Sequence, residues 1–305
     1  MNKYPSPEDL RVFMTVARNA SFVRAADEMG VSTAYVTKRV RILESTIGIK
    51  LLHRTTRKVS LTESGEIVYE QAQRILGSLD KLVEEADPLA HEPRGYMRIC
   101  SSFGFGRNLV APAIGHLVER YPELELRFEV LDRVVDPVEE GYDLDVRVGD
   151  EIAPHLVARR LADNYRVLCA SPDYLSRHGQ PKSLGDLAGH TCLVIKERDH
   201  PFGTWDLQSN NKKTTVKVSG NLSTNHGEVA VQWAIDGYGI LLRSIWNVGT
   251  LIETGQLVQV LPAYRQDANI WAVYPAESKQ SAKIRVCVEF LRQHFSKSAA
   301  LHPQP

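Results

Sequence analysis

The stretch SFVRAADEMGVSTAYVTKRVRILE, from Ser21 to Glu44, predicts two short helices joined by a tight turn. Apolar residues recur at helical spacing in its first half, and Gly30 follows at a position that suits a left-handed residue ending a helix. Ser32 is placed to cap the second helix, because its hydroxyl can accept a hydrogen bond from an orphan backbone N–H. The pattern therefore predicts a helix–turn–helix.

The second helix of this stretch has one buried stripe and one polar face. The stripe is formed by Val36, Val40, Leu43 and Ile47, and the polar face by Thr33, Thr37, Lys38 and Arg41. Short hydrogen-bonding side chains and cations on one exposed face are typical of a helix that lies in the major groove of DNA. The alternative, from the pattern alone, is a two-helix corner with an ordinary solvated face.

The charge of the 305-residue chain is zero overall but unevenly distributed. Residues 1–60 contain eleven Lys and Arg against five Asp and Glu, a net charge of +6, which leaves −6 for the remainder. A basic module joined to a neutral-to-acidic one is typical of a nucleic-acid binder with a second function. The length suggests two or three domains, and 43% hydrophobic residues suffice for sizeable cores.

The four cysteines predict neither a metal site nor a disulfide framework. They are far apart, lie in apolar runs and form no C-x-x-C pair, so we expect buried thiols and no cofactor. The N-terminus lacks an apolar signal segment, and no run of about 18 apolar residues occurs. We therefore expect a soluble, cytoplasmic protein.

Two elements flank the helix–turn–helix. The sequence from Ser6 predicts a capped first helix, and two short apolar runs, at Leu51–Leu52 and at Val59–Leu61, predict a strand hairpin. Its connection is crowded with Arg54, Thr55, Thr56, Arg57 and Lys58. Such a tip is what a wing needs to contact phosphate or the minor groove, the alternative being a solvated basic turn.

A long helix is predicted from Thr62, which can cap it, to about Ala86. Its apolar positions are Val68, Ala72, Ile75, Leu79, Leu82 and Ala86, spaced alternately by four and three. This is a heptad seam over roughly three heptads, so we expect the helix to pair with its copy in a second subunit. Pro88, Pro93 and Gly95 then mark a linker.

From Tyr96 onward strands and helices alternate, which predicts an α/β fold with parallel sheets and helices on both faces. About 200 residues are enough for two subdomains around a cleft. The expected domain limits are 1–62 for DNA binding, 63–92 for the dimerisation helix and 93–298 for the regulatory domain.

The cleft is predicted to bind an anion. Two serines end the first strand just before a glycine-rich helix start, and Asn225 with Glu228 predicts a capping box at a second helix start. Guanidinium groups near strand ends could hold carboxylates, although a structural salt bridge is the alternative for each, especially for Arg147 beside Asp145. The candidate effector residues are Ser101, Ser102, Phe103, Arg107, Arg133, Arg147, Asn225, His226 and Arg243.

The chain resembles the LysR family of bacterial transcription regulators. The matching residues are Ser21-Phe22, Ala25-Ala26, Ser32, the run from Val36 to Val40, Leu43-Glu44, Gly48, Leu51-Leu52, Arg54, Leu61-Thr62 and Gly65. The chain departs from many members at Ala34, where they have proline, and at the bulky Tyr35. The resemblance implies a winged helix–turn–helix, a coiled-coil linker helix and a periplasmic-binding-protein-like effector domain with two subdomains. It also implies one subdomain from about 93–164 with 266–298 and another from about 165–265.

The resemblance also implies partners and contact residues. The partners are a double-stranded DNA operator, a small effector, RNA polymerase and further copies of the chain in a homodimer or homotetramer. The candidate DNA-binding residues are Ser32, Thr33, Tyr35, Thr37, Lys38, Arg39, Arg41, Arg54, Thr55, Thr56, Arg57 and Lys58. The regulatory half is most similar to the subgroup that controls tartrate and malate use, which implies an activator responding to a hydroxydicarboxylate.

Two other classes compete with this interpretation. An enzyme is disfavoured because the chain lacks the H-E-x-x-H, G-x-S-x-G and G-x-x-x-x-G-K motifs. Gly104 and Gly106 form only a fragment of a dinucleotide fingerprint, since Leu109 stands where a third glycine belongs. A DNA-organising protein without ligand control would not need the long C-terminal half. A regulator of the same family that responds to an unrelated small anion remains an alternative.

Overall fold

A computed structural model describes residues 4–54, 59–86, 93–131, 133–196, 202–210, 212–298 and 301. The chain divides into two compact units, Met1–Ala90 and His91–Pro305. Among the described residues no helix is long and apolar enough to cross a membrane.

The first unit is a small helical domain with a strand hairpin. Its elements are α1 (Pro7–Asn19), α2 (Phe22–Met29), α3 (Thr33–Ile47), β1 (Leu52–Arg54), β2 (Val59–Leu61) and α4 (Glu63–Ala86). The predicted caps are confirmed: Ser6 accepts a hydrogen bond from the Asp9 amide, and Ser32 accepts one from the Tyr35 amide. Gly30 ends α2 with a φ of 64°, in the left-handed region that favours glycine.

The core of this unit lies where the three short helices meet. Phe13, Val36, Val40 and Leu43 are fully buried there, which confirms the apolar stripe of α3. Each such side chain contributes about 1.5–3 kcal/mol through its removal from water. The packing leaves the opposite face of α3 outward.

The hairpin is tied to this core by one buried carboxylate. Glu44 is 4% exposed and accepts a hydrogen bond from the Leu51 amide at 3.1 Å. Thr62 caps α4 as predicted, since its hydroxyl accepts from the Gly65 amide at 2.9 Å. A β-carbon at Gly65 would lie 2.0 Å from the Leu51 carbonyl oxygen, so only glycine permits this close approach. Thr55 to Lys58, the predicted wing tip, lies outside the described residues.

The heptad pattern of α4 serves two surfaces. Ala72 is buried in the core of the first unit, and Val68 and Leu79 pack against that core. Ile75 and Leu82 are exposed by 49% and 63%, and so is Ile67, by 60%, although it lies outside the predicted seam. The apolar side chains described as uncovered on α4 are therefore two residues of that seam together with Ile67.

The second unit contains two sheets and the helices that cover them. In chain order its elements are β3 (Gly95–Ser101), α5 (Phe103–Phe105), a π-helical turn (Gly106–Val110), α6 (Ala111–Arg120), β4 (Leu124–Val130), α7 (Pro137–Glu140), β5 (Leu144–Val148), β6 (Leu156–Ala162), β7 (Tyr165–Ala170), α8 (Pro172–His178), β8 (Cys192–Ile195), β9 (Thr204–Ser209), β10 (Lys212–Lys217), β11 (Ser223–Thr224), α9 (Gly227–Ile235), β12 (Ile240–Ser244), α10 (Ile245–Glu253), β13 (Val258–Gln259), β14 (Arg265–Asp267), β15 (Ile270–Pro275) and α11 (Ala282–Phe295), with 3₁₀ turns at Leu184–Gly189 and Ala276–Gln280.

Both sheets are mixed, so the prediction of parallel sheets is wrong in part. The first has the order β4-β3-β5-β15-β6 and the second β10-β9-β14-β7-β12-β8-β11, with β13 also on β7. Parallel pairs join β3 to β4 and β5, and β8 to β11 and β12, whereas β15 is antiparallel to β5 and β7 to β12. The reason is that the chain leaves the first sheet after β6 and returns to it only at β15, so the returning strand enters in the opposite direction.

The two crossings between the sheets are bonded to one another. Asn164 is 3% exposed, and its side-chain amide donates to the Ala268 carbonyl at 2.7 Å and to the Ser244 hydroxyl at 3.3 Å. The side-chain oxygen of Asn269 accepts a hydrogen bond from the backbone amide of Asn164 at 3.4 Å. These bonds join both crossing segments to the end of β12.

The cysteines are free and buried, which confirms that prediction. They are Cys100, Cys169, Cys192 and Cys287. Burial raises the pKa of the last three to about 12, because a thiolate is poorly solvated in an apolar core.

Candidate DNA-binding surface and effector cavity

The outward face of α3 gathers four of the predicted DNA-binding residues. Thr33, Thr37, Lys38 and Arg41 border one concave surface along this helix. Lys38 and Arg41 are exposed, so their charges are available to a polyanion. Ser32, by contrast, uses its hydroxyl as the N-cap of α3. The surface thus combines two cations with two short hydrogen-bonding side chains on a helix of 15 residues.

Two predicted residues on α3 bond to α1: Tyr35, and Arg39, which also borders the concave surface. The Arg39 guanidinium forms an ion pair with Asp9 at 2.9 Å and donates to the Ser6 hydroxyl at 3.0 Å. The Tyr35 hydroxyl donates to Glu8 at 3.2 Å. Asp9 is 4% exposed, so Arg39 neutralises a nearly buried charge and fixes α3 against the start of α1.

The predicted wing is described only at its base. Arg54 ends β1, where it pairs in register with Val59 of β2. The next four residues, Thr55 to Lys58, complete the predicted DNA-binding set and lie outside the described residues.

A cavity of about 90 Å³ lies between the two sheets of the second unit. Three helical segments begin at the wall of this cavity. They are the continuous segment of α5, the π-helical turn and α6, which starts at Phe103, then α9 from Gly227 and α10 from Ile245. The first four amides of a helix have no intrahelical acceptor, and the helix dipole makes this end positive. The backbone alone therefore favours an anion in the cavity.

Three cationic side chains line the same cavity: Arg166, Lys196 and Arg243. No carboxylate is among the described residues of its lining. Helix starts and cations together give an enclosed positive site. One water needs about 10–15 Å³ of such a cavity, so 90 Å³ corresponds to about six to nine water-sized groups. This is close to the ~10 non-hydrogen atoms of a four-carbon hydroxydiacid.

The position of the Arg243 side chain is fixed by several contacts. Its Nε donates to the Asn247 side-chain oxygen at 2.6 Å, and its guanidinium carbon lies 5.6 Å from the centre of the Trp246 ring. A β-carbon at Gly227 would lie 2.2 Å from that carbon, so the guanidinium packs directly on the backbone at the start of α9.

Five of the nine predicted effector residues line this cavity, and four do not. Those in the lining are Ser102, Phe103, Asn225, His226 and Arg243. Ser101 is buried, and its hydroxyl donates to the Val146 carbonyl at 2.6 Å across the first sheet. Arg107 has a side chain that is 70% exposed and forms an ion pair with Glu228 at 3.0 Å.

The other two arginines form the local ion pairs that were the alternative to ligand binding. Arg133 donates to both Glu140 oxygens on the surface, at 2.5 Å each, and this pair raises the pKa of the guanidinium further. Arg147 is 5% exposed; it donates to Asp145 at 2.8 Å and to the Val135 carbonyl at 2.9 Å. It borders a separate cavity of about 600 Å³, whose lining mixes cations with Asp150, Glu151 and other acids.

The predicted capping box at Asn225 is wrong. Helix α9 begins at Gly227 with His226 as its N-cap, and the Thr224 hydroxyl accepts from the His226 amide at 3.0 Å. Glu228 bonds to a distant segment instead: its carboxylate accepts from the Arg107 guanidinium and, at 2.8 Å, from the Asn108 side-chain amide. A partner 120 residues away has thus replaced the local one.

Among the lining residues that sequence reasoning missed are three whose side chains carry a charge or an N–H donor: Arg166, Lys196 and Trp246. Arg166 is the second residue of β7, Lys196 directly follows β8, and Trp246 is the second residue of α10. A signal for Lys196 was present, because a charged residue that directly follows an apolar strand lies at a sheet edge. The other two depend on which strand ends the topology brings together.

Two family models match the chain. Residues 7–66 match the bacterial regulatory helix-turn-helix protein of the lysR family, and residues 90–296 match the LysR substrate binding domain. The chain belongs to the LysR family. It is a DNA-binding transcriptional regulator and not an enzyme, as was expected from its motifs.

Related proteins match over almost their full length. The HTH-type transcriptional regulator DmlR of Escherichia coli (strain K12) is 56% identical over 97% of this chain and 96% of its own. The activator TtdR of the same strain is 49% identical over 95% and 94%. The structure of CrgA, a LysR-type regulator from Neisseria meningitidis, has a TM-score of 0.59 at 30% identity, covering 95% of this chain and 99% of CrgA.

Proposed function

We propose that this LysR-type regulator activates transcription when a small carboxylate of the tartrate or malate class occupies the cavity at Arg243. The observation that carries the proposal is the cavity lining, with three cations, three helix starts and no described carboxylate. Guanidinium groups match the two oxygens of a carboxylate, and several cations in one cavity suit a diacid better than a monoacid. A relative at 49% identity is itself named an activator, which supports the direction of the response.

DNA binding is proposed to use the outward face of α3. Thr33, Thr37, Lys38 and Arg41 would contact base edges and phosphates in the major groove, and Arg54 to Lys58 would contact the backbone as a wing. The proposed modules are residues 1–62 for this role and 63–92 for pairing with a second copy. Ile75 and Leu82 of α4 support the pairing, because a second copy would cover these exposed apolar side chains.

The proposed signal is a change in the angle between the two sheets of the second unit. A ligand held by cations of the second sheet and by the helical segment that follows β3 of the first sheet favours one closure of the cavity over others. Asn164 bonds the crossing segments to Ser244, the residue after Arg243, so movement at the ligand reaches the hinge directly. In a homodimer or homotetramer on its operator, that movement would alter subunit packing and the recruitment of RNA polymerase.

Calorimetric titration of the purified protein with L-tartrate, meso-tartrate, D-malate, L-malate and succinate tests the effector proposal. We expect at least one hydroxydiacid to bind and Arg243→Gln to weaken it about 10- to 100-fold, since a hydrogen bond to a charged group contributes about 1.5–3 kcal/mol. Arg133→Gln is the matched control, because Arg133 lies on the surface with Glu140 and should leave affinity unchanged.

Two results would contradict this proposal. Unchanged affinity in Arg243→Gln would remove the residue from the site, and binding of no diacid to the wild type would assign the cavity to an unrelated anion. Operator footprints test the DNA surface separately: Lys38→Ala should weaken specific binding. Arg18→Ala, whose side chain pairs with Glu28, is a control expected to bind as the wild type does. Equal footprints for both variants would refute the proposed role of α3.

A further inference from the structure

Two ring nitrogens at the cavity are buried without a partner. The indole Nε1 of Trp246 and the imidazole Nδ1 of His226 make no hydrogen bond to any described residue, and both side chains line the cavity. Buried polar groups in folded proteins are almost always bonded, and each exception calls for an explanation such as a water or a ligand. Two exceptions in one cavity of about 90 Å³ point to an occupant.

Both rings are held in place by aromatic contacts rather than by their nitrogens. Trp246 packs edge to face on Phe105, with ring centres 5.4 Å apart, and the Arg243 guanidinium lies over the Trp246 ring. His226 stacks on Phe103 with ring centres 5.5 Å apart and an angle of 28° between the planes. The ring positions are thus set before any ligand arrives, which reduces the entropy lost on binding.

The chemistry of the two nitrogens differs from that of a carboxylate site. An indole nitrogen only donates, whereas a neutral imidazole carries one donor and one acceptor nitrogen. An ionised carboxylate only accepts, so a plain diacid offers no donor to an accepting imidazole. A hydroxyl group offers both, since it can accept from Trp246 and donate to His226.

We propose that Trp246 and His226 are specificity-determining residues that bind the hydroxyl group of a 2-hydroxydicarboxylate. The carboxylates are then left to Arg166, Lys196 and Arg243, which are suited to them by charge. This inference rests on the proposed function and extends it, because it separates the part of the site that binds charge from the part that selects the hydroxyl. A site that must bond a hydroxyl disfavours the analogue lacking it, since the buried polar groups are then left unpaired.

The test compares malate with succinate, which differ by one hydroxyl group. Trp246→Phe and His226→Phe remove the nitrogens and keep an aromatic ring in each place. We expect each variant to lose about three- to tenfold in affinity for the preferred malate enantiomer and less than about twofold for succinate, as expected for a single hydrogen bond. Trp233→Phe, on α9 but outside the cavity lining, is the matched control and should keep wild-type selectivity.

A second measurement avoids substitution altogether. The chain has four tryptophans, so the indole N–H signals in a ¹⁵N spectrum of the intact protein can be assigned with the two tryptophan variants. The Trp246 signal should shift more with malate than with succinate at saturation, because only malate presents the hydroxyl to it.

The outcomes separate this inference from the proposed function. Binding of both diacids with the same selectivity in wild type and variants, or equal shifts of the Trp246 signal with both, would overturn the inference and leave the carboxylate proposal standing. Binding of no diacid to the wild type would overturn both. Loss of malate selectivity in either variant, with the control unchanged, would support the assignment.

Discussion

Gly227 offers a way to disturb the proposed ligand site without removing any of its functional groups. A β-carbon there would lie 2.2 Å from the Arg243 guanidinium carbon and 2.2–2.3 Å from its two terminal nitrogens. A β-carbon at Gly104, which is also near this guanidinium, would lie 3.5 Å from the nearest terminal nitrogen, which is ordinary contact. Alanine at Gly227 must therefore displace Arg243, and alanine at Gly104 need not.

The effect on ligand binding should be far larger than the effect on folding. To reach an ordinary contact of 3.4 Å the guanidinium must move by more than about 1 Å, which takes it out of hydrogen-bonding range of a ligand placed for the wild type. Losing a hydrogen bond to a charged group costs about 1.5–3 kcal/mol, or roughly 10- to 150-fold in affinity. The displaced atoms are the end of a flexible side chain, and alanine favours a helix over glycine by up to ~1 kcal/mol.

Calorimetric titration with the preferred diacid measures the first effect, and urea unfolding without ligand measures the second. We expect Gly227→Ala to bind at least about tenfold more weakly while its free energy of unfolding stays within about 1 kcal/mol of the wild type. Gly104→Ala should bind as the wild type does. Wild-type affinity in Gly227→Ala would refute the role of the Arg243 position, and an equal loss in Gly104→Ala would show that any added methyl group disturbs the cavity.

Three further predictions concern stability and reactivity. Glu44→Leu should lower the free energy of unfolding by about 1–3 kcal/mol in urea, because the buried Leu51 amide loses its acceptor, whereas Glu44→Gln keeps an acceptor and should lose less. Although burial raises the pKa of Glu129, hydrogen bonds and charges from Tyr142, Arg127 and Arg98 lower it overall. The ionised carboxylate therefore stabilises the fold above its ordinary pKa of 4.5, and this stabilisation is lost as the pH falls through the lowered pKa. Acid unfolding curves of Glu129→Gln should lack this pH-dependent loss of stability. The four buried thiols should react with an alkylating reagent only in denaturant, as measured by mass, and labelling of the native protein would contradict their burial.

The fold of the first unit could be predicted from sequence because the features that determine its helices are local. The caps at Ser6, Ser32 and Thr62 act over three residues, and the apolar stripe of α3 follows from helical periodicity alone. Strand direction in the second half is not local in this sense. Nothing within β15 shows that the chain has spent about 100 residues in another sheet before returning, so the antiparallel pairing of β15 with β5 could not be predicted from its composition.

The arginines of the second half show how far local reasoning reaches at the candidate site. Arg147 has an acid two residues away and Arg133 has one seven residues away, and each forms that ion pair. Arg243 has no acid within six residues of it in the sequence, whereas Arg133 has Asp132 and Asp136 one and three residues away. Of the three arginines, Arg243 is the one that lines the cavity.

A nearby acid therefore argues against a ligand-binding arginine, since an ion pair closed over a short loop costs little entropy and leaves the guanidinium occupied. Arg107 marks the limit of this rule. Its partner Glu228 is 121 residues away and belongs to a helix whose start the local pattern misplaced by one residue, so only the fold could show that this guanidinium is paired.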